Sequence, residues 1–409
     1  MKYLRFLCWC WISLAFPAHV ALAEEMLPLR GNDHSPLPKL DLTVSSLDLW
    51  QRIRNGFGMP DLDDKRVINQ QAWYLNRPGT LKVIFERSRR YLYHIVTELE
   101  KRGMPTELAL LPMVESAFNP LAYSPARALG LWQFIPATGR RYDLDQNAWV
   151  DDRRDIIAST QAALDYLQTI YEMHGDWHLA LASYNWGENA VARAVTKNKA
   201  KNLPTDYASL SMPGETRYYV PKLQAFKNII AQPELFGISL EPLPNEPYFG
   251  TVHISEDVDI ALAARLAEIP LAEFIALNPA YHRPVILGTN GSPLVFPVNN
   301  VQTFLDNRER HEAEGKSLTS WATYTLKPKE KLESVATRFH LTLAKLKQLN
   351  GITSRTKVQP GFALLVPGAG ASAEILAAAL PKAPAEPSRV KSKKRRKAGG
   401  AAPIRKKAR

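Results

Sequence analysis

Thr106-Glu107-Leu108-Ala109-Leu110-Leu111-Pro112-Met113-Val114-Glu115-Ser116-Ala117-Phe118 is the stretch on which the reading of this 409-residue chain turns. It is apolar on nearly every helical face, so a helix at 105–118 is expected to be buried rather than half-exposed. Glu115 then falls one turn beyond Leu111 and one turn before Phe118, on the stripe they share. A carboxylate there is costly. Desolvation disfavours the charged form and raises the pKa, and a Glu still protonated near neutral pH suits a general acid. The same residue can instead close a helix, reach solvent or pair with a cation such as Arg127, and this segment alone leaves both readings open.

The next segment runs Ser124-Pro125-Ala126-Arg127-Ala128-Leu129-Gly130-Leu131-Trp132-Gln133-Phe134-Ile135-Pro136-Ala137-Thr138-Gly139. Further on come Ala180-Leu181-Ala182-Ser183-Tyr184-Asn185-Trp186-Gly187 and Glu215-Thr216-Arg217-Tyr218-Tyr219-Val220-Pro221. With Leu110–Phe118 these make four motifs in one order, and together they resemble the signatures of the lytic transglycosylases with a goose-type lysozyme fold. The resemblance implies a mainly α protein: a lysozyme-like helical catalytic domain that cleaves the MurNAc-GlcNAc β-1,4 bond of peptidoglycan glycan strands and leaves 1,6-anhydro-MurNAc ends. Carried over by position, it makes Glu115 the catalytic acid and base. Ser124 and Gln133 would line the sugar subsites, Tyr184 and Asn185 the cleft beside the acid, and Tyr219 would hydrogen-bond near the carboxylate. Each has a plainer reading: Gly130 in a turn, Trp132 and Phe134 in the core, Tyr219 capping a helix with its hydroxyl free. Arg127 stands where many members of the wider family have glycine.

Most glycosidases use two carboxylates. The resemblance supplies one, with the substrate's own C6 hydroxyl as nucleophile, and intramolecular attack gains a large effective molarity. Asp143 and Asp145, the next acids after Glu115 along the sequence, are expected to shape a loop or cap a helix, and are the fallback for a hydrolytic, lysozyme-type muramidase. The other alternative is a non-catalytic peptidoglycan-binding protein. No cofactor is implied. His174 and His178 are four apart, but with no third ligand nearby they are expected to be ordinary surface histidines, so no metal site is assigned.

The apolar spacing of Leu81, Ile84, Phe85, Tyr91, Leu92, Ile95, Val96 and Leu99 predicts one amphipathic helix over 81–99. Further helices are expected at 155–173, 176–195 and 216–230. A linker at Pro233–Pro247 precedes an internal repeat at an offset of 72 residues, read from pairs such as Val252 with Tyr324, Ala264 with Ala336, Leu277 with Leu349 and Asn278 with Asn350. Both copies end in a short apolar strand before proline, so each reads strand, helix, helix, strand. Residues 322–368 resemble a LysM module, which implies binding of N-acetylglucosamine-containing glycans; 250–298 resemble a degenerate copy. The expected order is therefore a signal peptide (1–23), a leader and helical segment (24–84), the catalytic domain (85–235), two small βααβ modules (250–298 and 322–368) and a disordered basic tail (369–409).

The signal peptide rests on Lys2 and Arg5 before an apolar run to Phe16 and on Ala21-Leu22-Ala23, a run too short to span a bilayer. Cys8 and Cys10 both fall inside it, which excludes a disulfide framework, a thiol nucleophile and a thiolate zinc site from the processed chain. Residues 382–409 supply +11 of the net charge of +12, so the folded part is close to neutral. Export argues against nucleic acid as the partner of that tail and leaves anionic envelope polymers or lipid, with the protein in the periplasm or cell envelope and outer-membrane association open.

Overall fold

The apolar spacing read as one helix over 81–99 is realised as two. The structure, a computed structural model, describes residues 47–147, 149–290, 293–354 and 356–368. In it α3 (Pro78–Ser88) and α4 (Leu92–Lys101) are separated by a turn. The buried Ser88 hydroxyl bonds back to the Phe85 carbonyl (2.7 Å), a local alternative to continuing the helix. Both halves keep their apolar face inward: Leu81 and Ile84, then Leu92, Ile95, Val96 and Leu99. Hydrophobic period survives a break of a few residues, which is why the sequence did not reveal it.

Two other expected helices are also divided. Residues 105–118 form a 3-10 turn, Thr106–Leu110, and the short helix α5 (Leu111–Glu115), with Pro112 in the first turn, where its missing N–H costs nothing. Ala117 and Phe118 then adopt positive φ (51° and 52°) and end the helix before 118. The segment 176–195 becomes α8 (Trp177–Trp186) and α9 (Glu188–Lys199), hinged at Gly187, whose φ of 95° suits glycine. Between these lie α6 (Pro136–Arg141) and α7 (Ile156–His174), the latter capped by Asp155 and closed by left-handed Gly175. The long α10 (Gly214–Ala231) completes the unit, and α1 (Leu49–Asn55) and α2 (Lys65–Leu75) precede it in sequence.

One cluster of buried side chains, among them Trp50, Ile95, Leu99, Leu108, Leu111, Phe118, Trp132, Leu167, Leu181 and Phe226, unites these helices. Its two chain ends are clasped. Asp48 caps α1 and also accepts from the Leu243 N–H (3.0 Å), Leu49 N–H donates to the Leu243 carbonyl (2.7 Å), and Trp50 Nε1 donates to the Glu241 carbonyl (3.2 Å).

The repeat folds as two related units. In the first, β1 (Phe249–Val252) pairs antiparallel with β4 (Leu294–Pro297) around α11 (Ile260–Leu266) and α12 (Leu271–Leu277). It also carries a short ribbon, β2 (Val258–Asp259) with β3 (Val285–Ile286), and α13 (Val301–Ala313). In the second, β5 (Trp321–Thr325) pairs antiparallel with β6 (Ala363–Pro367) around α14 (Leu332–Arg338) and α15 (Leu343–Leu349). The matched asparagines do the same work in both. Asn278 donates to the Val295 carbonyl and accepts its N–H (2.7 and 2.9 Å), as Asn350 does with Leu365 (3.0 and 2.6 Å), tying the second helix to the closing strand.

The first unit is bonded to the helical body by Arg90, which forks onto Glu273 (2.7–3.1 Å), and by the Tyr91 hydroxyl, which donates to the Ala276 carbonyl (2.9 Å). The second is bonded to the first: Asp259 accepts from Thr319 and Ser320 (2.6–3.0 Å), and Arg283 donates to the Leu349 carbonyl at the end of α15. The signal peptide and the basic tail read from the sequence lie outside the described residues, as does the leader up to residue 46.

Candidate active site

Glu115 closes α5, and the turn after it sets where its side chain points. The left-handed pair Ala117 and Phe118 costs backbone energy, offset by full burial of the Phe118 ring, stacked on Tyr91 at 6.2 Å. Ser116 is pinned by its hydroxyl to the Leu131 carbonyl (2.9 Å). The turn leaves Glu115 in the wall of a cleft of about 600 Å³. Its side chain keeps some surface because the cleft opens over it, yet the carboxyl group is desolvated by the protein packed around it. Burial is the main reason its pKa is pushed up to about 7, with Glu215 adding to the rise. A hydrogen bond donated by the Tyr219 hydroxyl and the charge of Lys222 act the other way. No ion pair reaches Glu115 among the described residues; Arg127 lies on an exposed turn at φ 64°, and its carbonyl accepts from Arg153.

The structure brings the other residues named from the sequence to the same cleft. Ser124 opens a tight turn in which its hydroxyl oxygen accepts the Ala128 N–H (3.0 Å), so its own proton is available to a ligand. Gln133, at φ 51°, spends its amide N–H on the Gly130 carbonyl (2.8 Å), and its side-chain oxygen takes no bond among the described residues. Tyr184 donates to the Trp132 carbonyl (2.8 Å), which holds the ring against the cleft. Asn185 accepts from Thr216 (2.7 Å), freeing its N–H groups toward the cavity. Burial first, and then the nearby Glu115 charge, raise both the Tyr184 and Tyr219 phenols well above their ordinary range, so both remain neutral donors. Trp132 is core, donating to Thr160 (3.1 Å).

Sequence reasoning missed several lining residues. Glu215, Tyr219 and Lys222 stand at i, i+4 and i+7 of α10 and share a face, so helical period alone would have added the two charges once Tyr219 was placed. Glu188 follows the Gly187 hinge at the start of α9. Burial pushes its pKa up, but bonds from its own backbone N–H, Tyr166 (2.9 Å) and Arg141 (2.7 Å) outweigh this and hold it below the usual range. Asp143 and Asp145, the fallback carboxylates, are exposed and do not line the cleft; Asp145 instead braces a loop through Asp152. His174 meets Ser183 and His178 meets the Pro60 carbonyl, so the two engage different partners. Among the described residues no three acidic, His or Cys side chains gather as a metal site. A second concavity, about 360 Å³ beside Trp50, Leu81 and Phe85, lies away from Glu115 and has none of these convergent donors.

A lysozyme-like helical body, with a protonatable carboxyl and sugar-sized cleft, followed by two βααβ units, defines a class that comparison with known proteins identifies. Residues 93–205 match the Transglycosylase SLT domain, 248–313 the LysM-like domain of lytic transglycosylase MltD, and 324–367 the LysM domain. The chain is 36% identical over 340 residues to membrane-bound lytic murein transglycosylase D of Escherichia coli K12, covering 81% of this chain and 75% of that protein. Membrane-bound lytic murein transglycosylase C of Glaesserella parasuis is 32% identical over 141 residues, 31% of this chain and 38% of that one. The chain belongs to the lytic murein transglycosylase family, and it is an enzyme of that class.

Proposed function

We propose that Glu115 is the single acid and base of a peptidoglycan lytic transglycosylase. Its carboxyl protonates the leaving glycosidic oxygen; the resulting carboxylate then takes the proton of the C6 hydroxyl of N-acetylmuramic acid as that oxygen closes a 1,6-anhydro ring. One observation carries this reading: a carboxyl group in a sugar-sized cleft with its pKa pushed up to about 7, so that it holds a proton near neutral pH and is readily reprotonated. The Tyr219 hydroxyl orients it and stabilises its charged form between the two half-steps. Ser124, Gln133, Tyr184 and Asn185 form the sugar subsites, where positioning substitutes for a second carboxylate.

Glu188 favours a second reading, hydrolysis, because it is an ionised carboxylate in the same cleft. Mass spectrometry of digested sacculi separates the two, since anhydro products are lighter by one water than hydrolysed ones. The decisive variant is Glu115→Gln, which keeps the shape and cannot donate the proton. Turnover should fall by at least about 10² to 10⁴, with sacculus binding intact. Substantial turnover by the folded variant would remove Glu115 from the mechanism.

We assign the catalytic domain to 85–235 and the glycan-binding modules to 250–298 and 322–368, and place the enzyme in the cell envelope, exported to the periplasm. The names of the relatives support the envelope. No helix among the described residues is long and apolar enough to cross a membrane. The basic tail is assigned to anionic envelope polymers or lipid.

A further inference from the structure

The first βααβ unit touches the helical body at a place with consequences for the cleft. Beyond α6 the Asn147 side chain accepts the Trp149 and Val150 N–H groups (2.8 and 3.0 Å), and residues 149–154 run along the unit as an added edge. Val150 bridges Tyr281 in antiparallel fashion, the Asp151 N–H donates to the Ala280 carbonyl (3.1 Å), and Val150 and Tyr281 are buried in the unit's own apolar cluster. Two residues further, the same loop supports the cleft. Arg153, nearly fully buried, is clamped by Asp151 through two bonds (2.8 and 2.6 Å) and donates onward to the carbonyls of Arg127 (2.8 Å) and Phe134 (3.2 Å). Those carbonyls belong to the cleft wall that carries Ser124 and Gln133. The fit is close on both sides: a Cβ on Gly130 would stand 2.1 Å from the Arg153 carbonyl oxygen, and one on Gly139 would stand 2.9 Å from the Arg153 side chain.

We infer that the LysM-like unit at 248–313 serves this enzyme as a positioning element for its cleft, acting through residues 149–154, with Arg153 as the positioning residue for the Ser124–Phe134 wall. The wall has little regular structure of its own. It is a turn at Ser124–Ala128 with isolated bridges from Leu129 to Tyr123 and Phe134, and three of its residues, Arg127, Gly130 and Gln133, hold positive φ. Such a segment keeps one shape only if its surroundings over-determine it. Arg153 supplies that constraint, and Asp151, fixed at both its backbone and its side chain, transmits it from the docked unit. Glu273 holds the far side of the dock, bonded by Arg90 and by the Tyr248 hydroxyl (2.8 Å). Arg153 touches no reacting atom. Its effect passes through the subsites, where an error near 1 Å in substrate placement can cost about 10² in rate.

This inference rests on the cleft being the active site, and its test separates the two. In the full chain, Glu273→Arg sets two guanidinium groups against each other at the dock, and Arg90→Glu combined with Glu273→Arg restores the pair in reverse. Two readouts are compared in folded protein: kcat and KM on a soluble glycan too short to reach the second module, and amide hydrogen exchange at Ala128, Leu129 and Gly130. The expected result for Glu273→Arg is faster exchange at those amides and a fall in kcat/KM of about tenfold or more, both largely recovered in the reversed pair. Arg153→Lys, which keeps the charge but loses the fork, should reproduce the exchange change with the dock intact. Glu273→Gln is the milder variant to use if Glu273→Arg does not fold. Unchanged exchange and unchanged kcat/KM in a folded, dock-broken variant overturn the inference. Loss of the exchange effect is independent of whether Glu115→Gln retains activity, which tests the cleft itself.

Discussion

At the residue scale, Glu115 couples chemistry to stability through one proton. Its folded pKa of about 7 lies above the ordinary carboxylate value, so the folded state binds the proton more tightly than the unfolded chain. The contribution of that proton is fully present below about pH 4.5, and stability is lost as pH rises through 7. Glu115→Gln should therefore match the parent's stability near pH 4 and exceed it at pH 8, by at most about 3 kcal/mol and less in so far as the cleft hydrates the charge. Urea unfolding at the two pH values measures this; a variant less stable than the parent at pH 8 would indicate a structural ion pair instead. Tyr219→Phe removes the hydrogen bond that favours the charged form, so the Glu115 pKa should rise further and the alkaline limb of the kcat/KM profile should move upward in pH, with about a tenfold lower rate. An unmoved limb would leave Tyr219 as packing only. Glu115, Ser124, Gln133, Tyr184, Asn185 and Tyr219 could be named from the sequence because they sit in contiguous motifs. Glu188 could not, because what brings it to the cleft is the angle of α9, which no local pattern encodes; Lys222 follows by helical period only once Tyr219 is placed.

At the scale of elements, hydrophobic period recovered which faces point inward but not where helices stop. The breaks at Ser88–Tyr91 and after Glu115 depend on tertiary partners, since Tyr91 reaches Ala276 and Phe118 reaches Tyr91, whereas the break at Gly187 rests on the backbone freedom of glycine. Gly187 is the most testable of these. A Cβ there would meet nothing within 4 Å, so the whole cost of Gly187→Ala is conformational, from placing an L residue at φ 95°. About 1–2 kcal/mol is expected, read as a lower melting temperature, along with reduced turnover because Asn185 and Glu188 flank the hinge. A variant with parental stability would mean that the hinge relaxes to another conformation. The repeat was legible for the opposite reason. Asn278 and Asn350 each bond a strand seventeen or fifteen residues on, so the sequence match reflects a local, self-contained fold.

At the scale of the molecule, the helical body is closed by contacts between residues about as far apart as the body allows. Asp48 is both the cap of α1 and an acceptor for Leu243, so Asp48→Ala should cost about 1–2 kcal/mol, near the upper range for a lost cap, because a second bond goes with it. Unchanged thermal unfolding would show that the clasp is ornamental. The clasp also bears on timing. Synthesis and export both deliver the chain from its N-terminus, and a chain containing everything up to Tyr219 already holds each residue proposed for the chemistry, yet it lacks the backbone at 241–243 that Leu49 and Trp50 bond. Closure of the body must wait for that segment, and docking of the first βααβ unit must wait longer still. A murein-cleaving enzyme assembled in this order reaches its working shape only once the segment that follows its catalytic sequence has joined it, so a chain ending before 241 is expected to cut the wall's sugar strands poorly.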